Sequence, residues 1–354
     1  MNAPLICDLL VVGAGPAGSA AARAAARQGV SVLLAERRRR VGLPVRCAEF
    51  APLPVGKYID WSGPEITVQT VKAMRTFLPG ADPLENLFPG AMIRRDRFDQ
   101  ELARQAVTAG ARLETGLQIY WRTPEGIWAR DGNREVLIRP RVIIGADGPC
   151  SQVARWMGQK PGPFLIAAQV SLKLAGPLDH TRVYFHPEIS GGYGWVFPKG
   201  DRANVGVGLE AGRSGALKAI LEGFKRQRLE EGLVQAPARP AGGGLVPVGG
   251  LKDLWQENLI LAGDAAGTCH PISGAGVGNA LISGELAGDA AAAAVIQGTR
   301  EPLKNYRDEL GSLLGPSLSR AAAKRREMIR AWNGADFNGL IRKNWIAFRE
   351  YYRR

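Results

Sequence analysis

Leu9-Leu10-Val11-Val12 is a wholly apolar run that ends directly on Gly13-Ala14-Gly15-Pro16-Ala17-Gly18. An alanine-rich stretch, Ser19 to Gln28, follows and is closed by Gly29; Val30 to Ala35 is then a second apolar run ending at Glu36. The reading is strand, glycine turn, helix, strand, acid. In such a unit Gly13 permits the tight turn, Gly15 lets backbone approach a pyrophosphate, and Gly18 lets helix and strand pack closely. The helix N-terminus offers free N–H groups and a partial positive charge to the phosphates. Glu36 lies 18 residues after Gly18, near the spacing of about 20 at which a carboxylate meets ribose hydroxyls. The unit predicts a bound dinucleotide and does not by itself separate FAD from NAD.

Two later segments repeat the pattern of an apolar strand delivering Gly-Asp. Val142-Ile143-Ile144 runs into Gly145-Ala146-Asp147-Gly148, and Leu259-Ile260-Leu261 runs into Ala262-Gly263-Asp264-Ala265. Both belong at the carboxyl edge of a doubly wound sheet, where ligands bind. Carboxylates there can accept hydrogen bonds from ribose or ribityl hydroxyls. Gly274-Ala275-Gly276 then opens a helix of small residues, Val277 to Ala294, whose N-terminus suits the edge of a flavin that becomes anionic on reduction.

In these three segments the chain resembles a large family of FAD-dependent enzymes that includes aromatic hydroxylases, flavin halogenases and geranylgeranyl reductases; the resemblance covers roughly residues 6–300. It implies that Gly13, Gly15, Gly18, Glu36, Asp147, Gly148, Asp264, Gly274 and Gly276 hold FAD. Arg95, at the start of Arg95-Asp96-Arg97-Phe98-Asp99, stands where the family places a basic residue beside the cofactor.

Within the family, Tyr193-Gly194-Trp195-Val196-Phe197-Pro198 followed by Gly206-Val207-Gly208 resembles the signature of geranylgeranyl reductases. Tyr193, Trp195 and Phe197 alternate, so on a strand they share one face. That pattern alone also fits a plain sheet core. The resemblance implies a wall for a polyprenyl chain, which gains about 0.8 kcal/mol per buried CH₂. Pro44-Val45-Arg46-Cys47-Ala48-Glu49 is similar to the cysteine loop of the same reductases. It implies that Cys47 lies near flavin and substrate as a proton donor, with Arg46 reaching the flavin or its phosphates. The segment also departs from those reductases: Ala275 stands where they often carry an acid, and the part after the flavin helix is short.

Composition narrows the remaining classes. Gly is 45 of 354 residues, about one in eight against a usual 7%, as many tight turns or close ligand contacts require. Cys7, Cys47, Cys150 and Cys269 are too widely spaced for a disulfide scaffold or a structural zinc site. The net charge of +13 favours anionic partners. The run Arg37 to Arg40 reads as a solvated loop. No apolar run reaches the roughly 20 residues of a membrane span, so a cytoplasmic place is expected, at most at the inner membrane face. Ile341, Trp345, Phe348 and Tyr352 have the spacing of one helical face, with Arg342, Lys343, Arg349, Arg353 and Arg354 around it. Such a helix either lies on anionic lipid or packs onto the body of the protein.

The expected architecture is α/β: a Rossmann-like FAD domain from residues 1–54, 92–160 and 250–300, an inserted antiparallel or mixed-sheet substrate domain from 55–91 and 161–249, and a short helical C-terminus over 301–354. The expected activity is reduction of isoprenoid double bonds in a prenyl lipid by reduced flavin, with NAD(P)H or ferredoxin as transient donor. Two alternatives remain: a flavin monooxygenase or halogenase acting through peroxyflavin, and a lipid-binding flavoprotein without turnover. No nucleic-acid module is present in the sequence.

Overall fold

The computed structural model describes residues 4–60 and 65–353. The chain begins β1 (Leu5–Val12), α1 (Pro16–Ala26), β2 (Val32–Glu36), β3 (Phe50–Pro52), β4 (Thr67–Phe77), β5 (Leu84–Ile93) and α2 (Arg95–Thr108). It continues β6 (Arg112–Thr115), β7 (Leu117–Thr123), β8 (Gly126–Asp131), β9 (Arg134–Gly145), α3 (Gln152–Trp156), β10 (Phe164–Leu174), β11 (His180–Tyr184), β12 (Tyr193–Lys199) and β13 (Arg202–Glu210). The last third is α4 (Leu217–Glu230), β14 (Val234–Pro247), β15 (Trp255–Gln256), β16 (Leu259–Leu261), α5 (Val277–Gln297), α6 (Glu301–Arg330) and α7 (Phe337–Asn344).

These strands form two sheets. The first has the order β15-β16-β9-β1-β2-β6, with the β7–β8 hairpin attached through β9. β16, β9, β1, β2 and β6 all run parallel. Leu9, Leu10 and Val11 are fully buried, as a parallel strand covered on both faces requires. α1 and α5 cover one face together. A Cβ at Gly284 or Gly288 of α5 would come 2.2 Å from the carbonyl oxygen of Ala17 or Ala21, so the two helices pack backbone against backbone.

The second sheet has the order β14-β10-β13-β12-β11-β4-β5-β3. It is antiparallel except for the β11–β4 pair. Phe50–Pro52 pairs with β5 in this sheet, although the sequence reading groups residues 50–54 with the first. α4 packs on one face, where a Cβ at Gly194 would lie 2.6 Å from the Phe224 ring. Tyr193, Trp195 and Phe197 alternate with Gly194 and so point to the other face.

The tail differs from the single amphipathic helix read from its spacing. α7 stops at Asn344, Trp345 is extended, and a 3₁₀ turn occupies Arg349–Tyr352. Ile341, Trp345 and Phe348 are buried against Met74, Val183 and Phe185, while Tyr352 is exposed. The apolar residues therefore close over the second sheet rather than forming a free face for lipid. The reason is packing: the open side of that sheet offers an aromatic surface next to the chain. Arg354 lies outside the described residues. Among the described residues no helix is long and apolar enough to cross a membrane.

Candidate flavin site

The three glycine-acid segments meet because of strand register. Val12 is level with Ala35 on β2 and Gly145 on β9, and Gly145 is level with Leu261 on β16. Backbone bonds then lace the loops together: Gly13 N–H donates to Ala35 (2.7 Å), Ala146 N–H to Val12 (2.9 Å) and Ala262 N–H to Gly145 (2.9 Å). Gly13 has φ 100°, a conformation that favours glycine. A Cβ there would meet the Ala146 carbonyl oxygen at 2.5 Å, and one at Gly18 would meet the Gly13 carbonyl oxygen at 1.7 Å. At Gly15 nothing lies within 4 Å, so that backbone faces open space at the start of α1. Glu36 accepts from Ala14 N–H (3.0 Å) and Arg38 N–H (2.9 Å), so it also braces the turn that it would serve. Arg38 is not a free member of its basic run: its guanidinium donates to the carbonyls of Leu43 and Pro44 and ties down the Cys47 loop.

The carboxylates at the strand ends have the character of groups that await a polar ligand. Asp147 Oδ2 accepts from Gln152 N–H (2.6 Å), but its buried Oδ1 has no partner. Burial raises the pKa of both Asp147 and Asp264. Lys252, which sequence reasoning missed, stands in the field of both acids, and its own pKa is lowered by burial. Gly276 caps α5, and a Cβ there would lie 3.6 Å from Asp264 Oδ1 and 3.5 Å from Cys269 Sγ. A glycine cradle, a half-satisfied buried acid and two helix N-termini at one edge fit a dinucleotide.

Arg95 begins α2, is largely buried, and donates from Nε to Asp99 Oδ1 at 2.7 Å. Burial alone would lower its pKa; Asp99 and the neighbouring Cys47 outweigh that and raise it. Cys47 is half-buried. Arg46, beside it, is exposed and runs along Gly244 of β14. The other thiols lie elsewhere in character: Cys7 is buried at the far end of β1, level with Pro140, with its pKa pushed up to about 12 by burial, and Cys150 is exposed.

The aromatic wall joins the flavin segment directly. Tyr193 donates its hydroxyl to the Ser273 carbonyl at 2.5 Å, one residue before Gly274. Its ring lies 6.1 Å from Trp195, and Trp195 lies 6.4 Å from Phe197. Trp195 Nε1 donates to Gln169 Oε1 (3.2 Å), and Gln169 Nε2 donates to the Cys47 carbonyl (2.8 Å). Phe185 and Trp345 complete the surface; Trp345 is 5.4 Å from Tyr193 and donates to Thr76 Oγ1 at 3.1 Å. Sequence reasoning missed Gln169, Asn204 and Trp345 as parts of this site. For Gln169 and Asn204 the available signal was an amide within a largely apolar strand run, since a buried amide needs a partner.

Comparison with known proteins agrees with this geometry. The profile of the geranylgeranyl reductase catalytic domain matches residues 168–244, and that of an NAD(P)-binding Rossmann-like domain matches 11–79. The chain is 36% identical to the digeranylgeranylglycerophospholipid reductase of Methanosarcina acetivorans, over 83% of this chain and 77% of that protein. This chain belongs to the geranylgeranyl reductase family. Digeranylgeranylglycerophospholipid reductase 1 of Methanopyrus kandleri is also 36% identical, over 85% of each chain. Among solved structures, a geranylgeranyl bacteriochlorophyll reductase-like protein of Thermoplasma acidophilum superposes with a TM-score of 0.84 at 28% identity, covering 98% of this chain and 92% of that one. A probable FAD-dependent monooxygenase of Pseudomonas aeruginosa gives 0.68 at 18% identity, over 95% and 99%, which is a likeness of fold alone. The family is one of oxidoreductases built on this flavoprotein fold, and this chain carries its elements in order.

Proposed function

We propose that this protein uses FAD to reduce carbon–carbon double bonds in the prenyl chains of a lipid, a glycerophospholipid by the names of its relatives. The observation that carries the reading is the junction at Ser273: an apolar aromatic cluster of Tyr193, Trp195, Phe197, Phe185 and Trp345 packs against the loop that precedes α5. An aromatic surface of that kind suits a hydrocarbon chain and excludes water. Gly13, Gly15 and Gly18 would hold the pyrophosphate, Glu36 the ribose, and Asp147, Gly148 and Asp264 the hydroxyls near the flavin, with Gly274 and Gly276 opening α5 beneath its edge. FAD, when bound and reduced, supplies a hydride to one alkene carbon. Cys47 would hold at Sγ the proton that the neighbouring carbon takes. The aromatic wall orients the chain, which matters because an isolated alkene is a poor hydride acceptor. The electron donor in this reading is NAD(P)H or a ferredoxin bound transiently. The place of work is the inner membrane face, with contact made by surfaces other than the buried Ile341, Trp345 and Phe348.

The test is anaerobic turnover. The purified holoprotein, reduced with dithionite, is given an unsaturated digeranylgeranyl glycerophospholipid, and the product is weighed by mass spectrometry. A gain of two hydrogens for each reduced bond supports the reading. Oxygen insertion or halide transfer that appears only when O₂ is admitted would replace it with the monooxygenase or halogenase alternative. A flavin that never becomes reoxidised would favour the non-catalytic one.

A further inference from the structure

Cys47-Ala48-Glu49 is held by more buried polar contacts than a connecting loop requires. Glu49 has φ 71°, a left-handed backbone that is costly for a residue with a side chain. It is also only 5% exposed. A strained, buried carboxylate persists only where its surroundings hold it, and here three elements do. Oε1 accepts from Arg95 N–H at 3.0 Å, in the first turn of α2. That helix has no side-chain cap of its own, so Glu49 takes the capping part from 46 residues away. Oε2 accepts from Lys199 Nζ (2.5 Å) on β12 and Asn204 Nδ2 (3.0 Å) on β13.

The backbone around it is equally engaged. Glu49 N–H donates to Cys47 Sγ at 3.2 Å. Asn204 Nδ2 also donates to the Ala48 carbonyl (3.1 Å), and Ile93 N–H to the Glu49 carbonyl (2.9 Å). Gln169 already holds the Cys47 carbonyl. Lys199 closes the strand that carries Tyr193, Trp195 and Phe197. One carboxylate thus links the thiol loop, the helix start that carries Arg95, and the end of the aromatic wall.

We infer that Glu49 is a positioning residue: clamped by Lys199, it sets where Cys47 Sγ stands between the flavin segments and the aromatic wall. The inference rests on the functional reading above, in which Cys47 borders the reacting atoms. Among the described residues, Arg95 on α2, Tyr193 on β12 and Cys269 on the loop before α5 face the thiol, and Glu49 reaches it through its backbone N–H.

The experiment uses the FAD-loaded protein and the variants Glu49→Gln and Lys199→Met. Iodoacetamide labelling of Cys47 at fixed pH is followed by peptide mass spectrometry, with exposed Cys150 as the reference thiol in the same molecule. Either variant breaks the Glu49–Lys199 contact that holds the loop, so the thiol gains freedom to meet the reagent. Cys47 labelling is therefore expected to rise about threefold in both variants, with Cys150 unchanged. Prenyl turnover is expected to fall about tenfold or more in kcat in both, with KM little altered and flavin content intact. Lys199→Met keeps the Asn204 and Arg95 bonds to Glu49, so it decides the question alone should Glu49→Gln not fold. Cys47 labelling that stays at the wild-type level in both variants overturns the clamp, and so does a rise matched at buried Cys7, which general unfolding would give. Failure of the functional reading looks different: the wild type would then show no prenyl turnover, while the rise in Cys47 labelling would still appear.

Discussion

Replacing Gly206 by alanine tests whether the aromatic wall is built as described. A Cβ at 206 would stand 2.3 and 2.5 Å from the Trp195 indole and 2.7 Å from the Gln169 Cβ. Carbon atoms prefer about 3.5–4.0 Å, so the overlap exceeds what shifts of a few tenths of an ångström absorb. The indole must leave its place or the strands must part. Overpacking of this kind costs about 1–3 kcal/mol, and losing the Trp195–Gln169 hydrogen bond adds about 1 kcal/mol. A loss of about 2–4 kcal/mol lowers the melting temperature by several degrees. Gln169 would at the same time lose its anchor and relax its grip on the Cys47 carbonyl. The flavin segments lie in the other sheet, so the variant should purify yellow with normal flavin content. Its single-turnover alkene reduction should fall by about 10²-fold, the penalty of an ångström-scale misplacement. A variant that melts and reduces lipid like the wild type would refute the placement of the indole over Gly206.

Asp264→Asn tests the buried acid. Burial raises the folded pKa of Asp264 above its reference 3.8, so this group favours folding below that value and loses the contribution as pH rises through its folded pKa. Flavin-free Asp264→Asn should therefore melt higher than wild type at neutral pH, with the gap closing below about pH 3.8. It should also bind FAD about 10- to 100-fold more weakly, because hydrogen bonds to a charged acceptor are worth about 1.5–3 kcal/mol; a pH-independent gap in thermal melts would contradict the assignment. Trp345→Ala removes a side chain that is 2% exposed and should destabilise by about 3–5 kcal/mol. It should raise KM for the lipid while leaving flavin content unchanged, and an unaltered KM would show that the tail takes no part in holding the lipid.

The flavin half of the site was legible because its determinants are local. A glycine turn, a following helix and an acid at a set interval are contiguous in the chain, and parallel register brings Val12, Gly145 and Leu261 level wherever three apolar strands pair. The substrate half was legible only as a face. Alternation placed Tyr193, Trp195 and Phe197 together, but what they meet, Gln169, Ser273 and Trp345, stands 26 to 152 positions away along the chain, which no periodicity reveals. Packing of the tail onto the body was one of the two readings its spacing allowed; what the spacing of Ile341, Trp345 and Phe348 could not show is that the helix ends at Asn344 and an extended residue turns the indole inward. Glu49 was visible in the Cys47 loop, but its left-handed backbone and its bonds to Arg95, Lys199 and Asn204 are tertiary facts. Arg38 shows the converse, a residue in a basic run that serves as a tether.

The glycine seam between α1 and α5 bears on how such a molecule comes into being during synthesis. Backbone touches backbone there at Ala17 against Gly284 and at Ala21 against Gly288. The first helix emerges from the ribosome early, yet the surface it is shaped to meet is more than 260 residues behind it. A nascent chain must keep that alanine-rich segment from clumping until its mate appears, so early folding is governed by protection of an unfinished nucleotide cradle rather than by its completion.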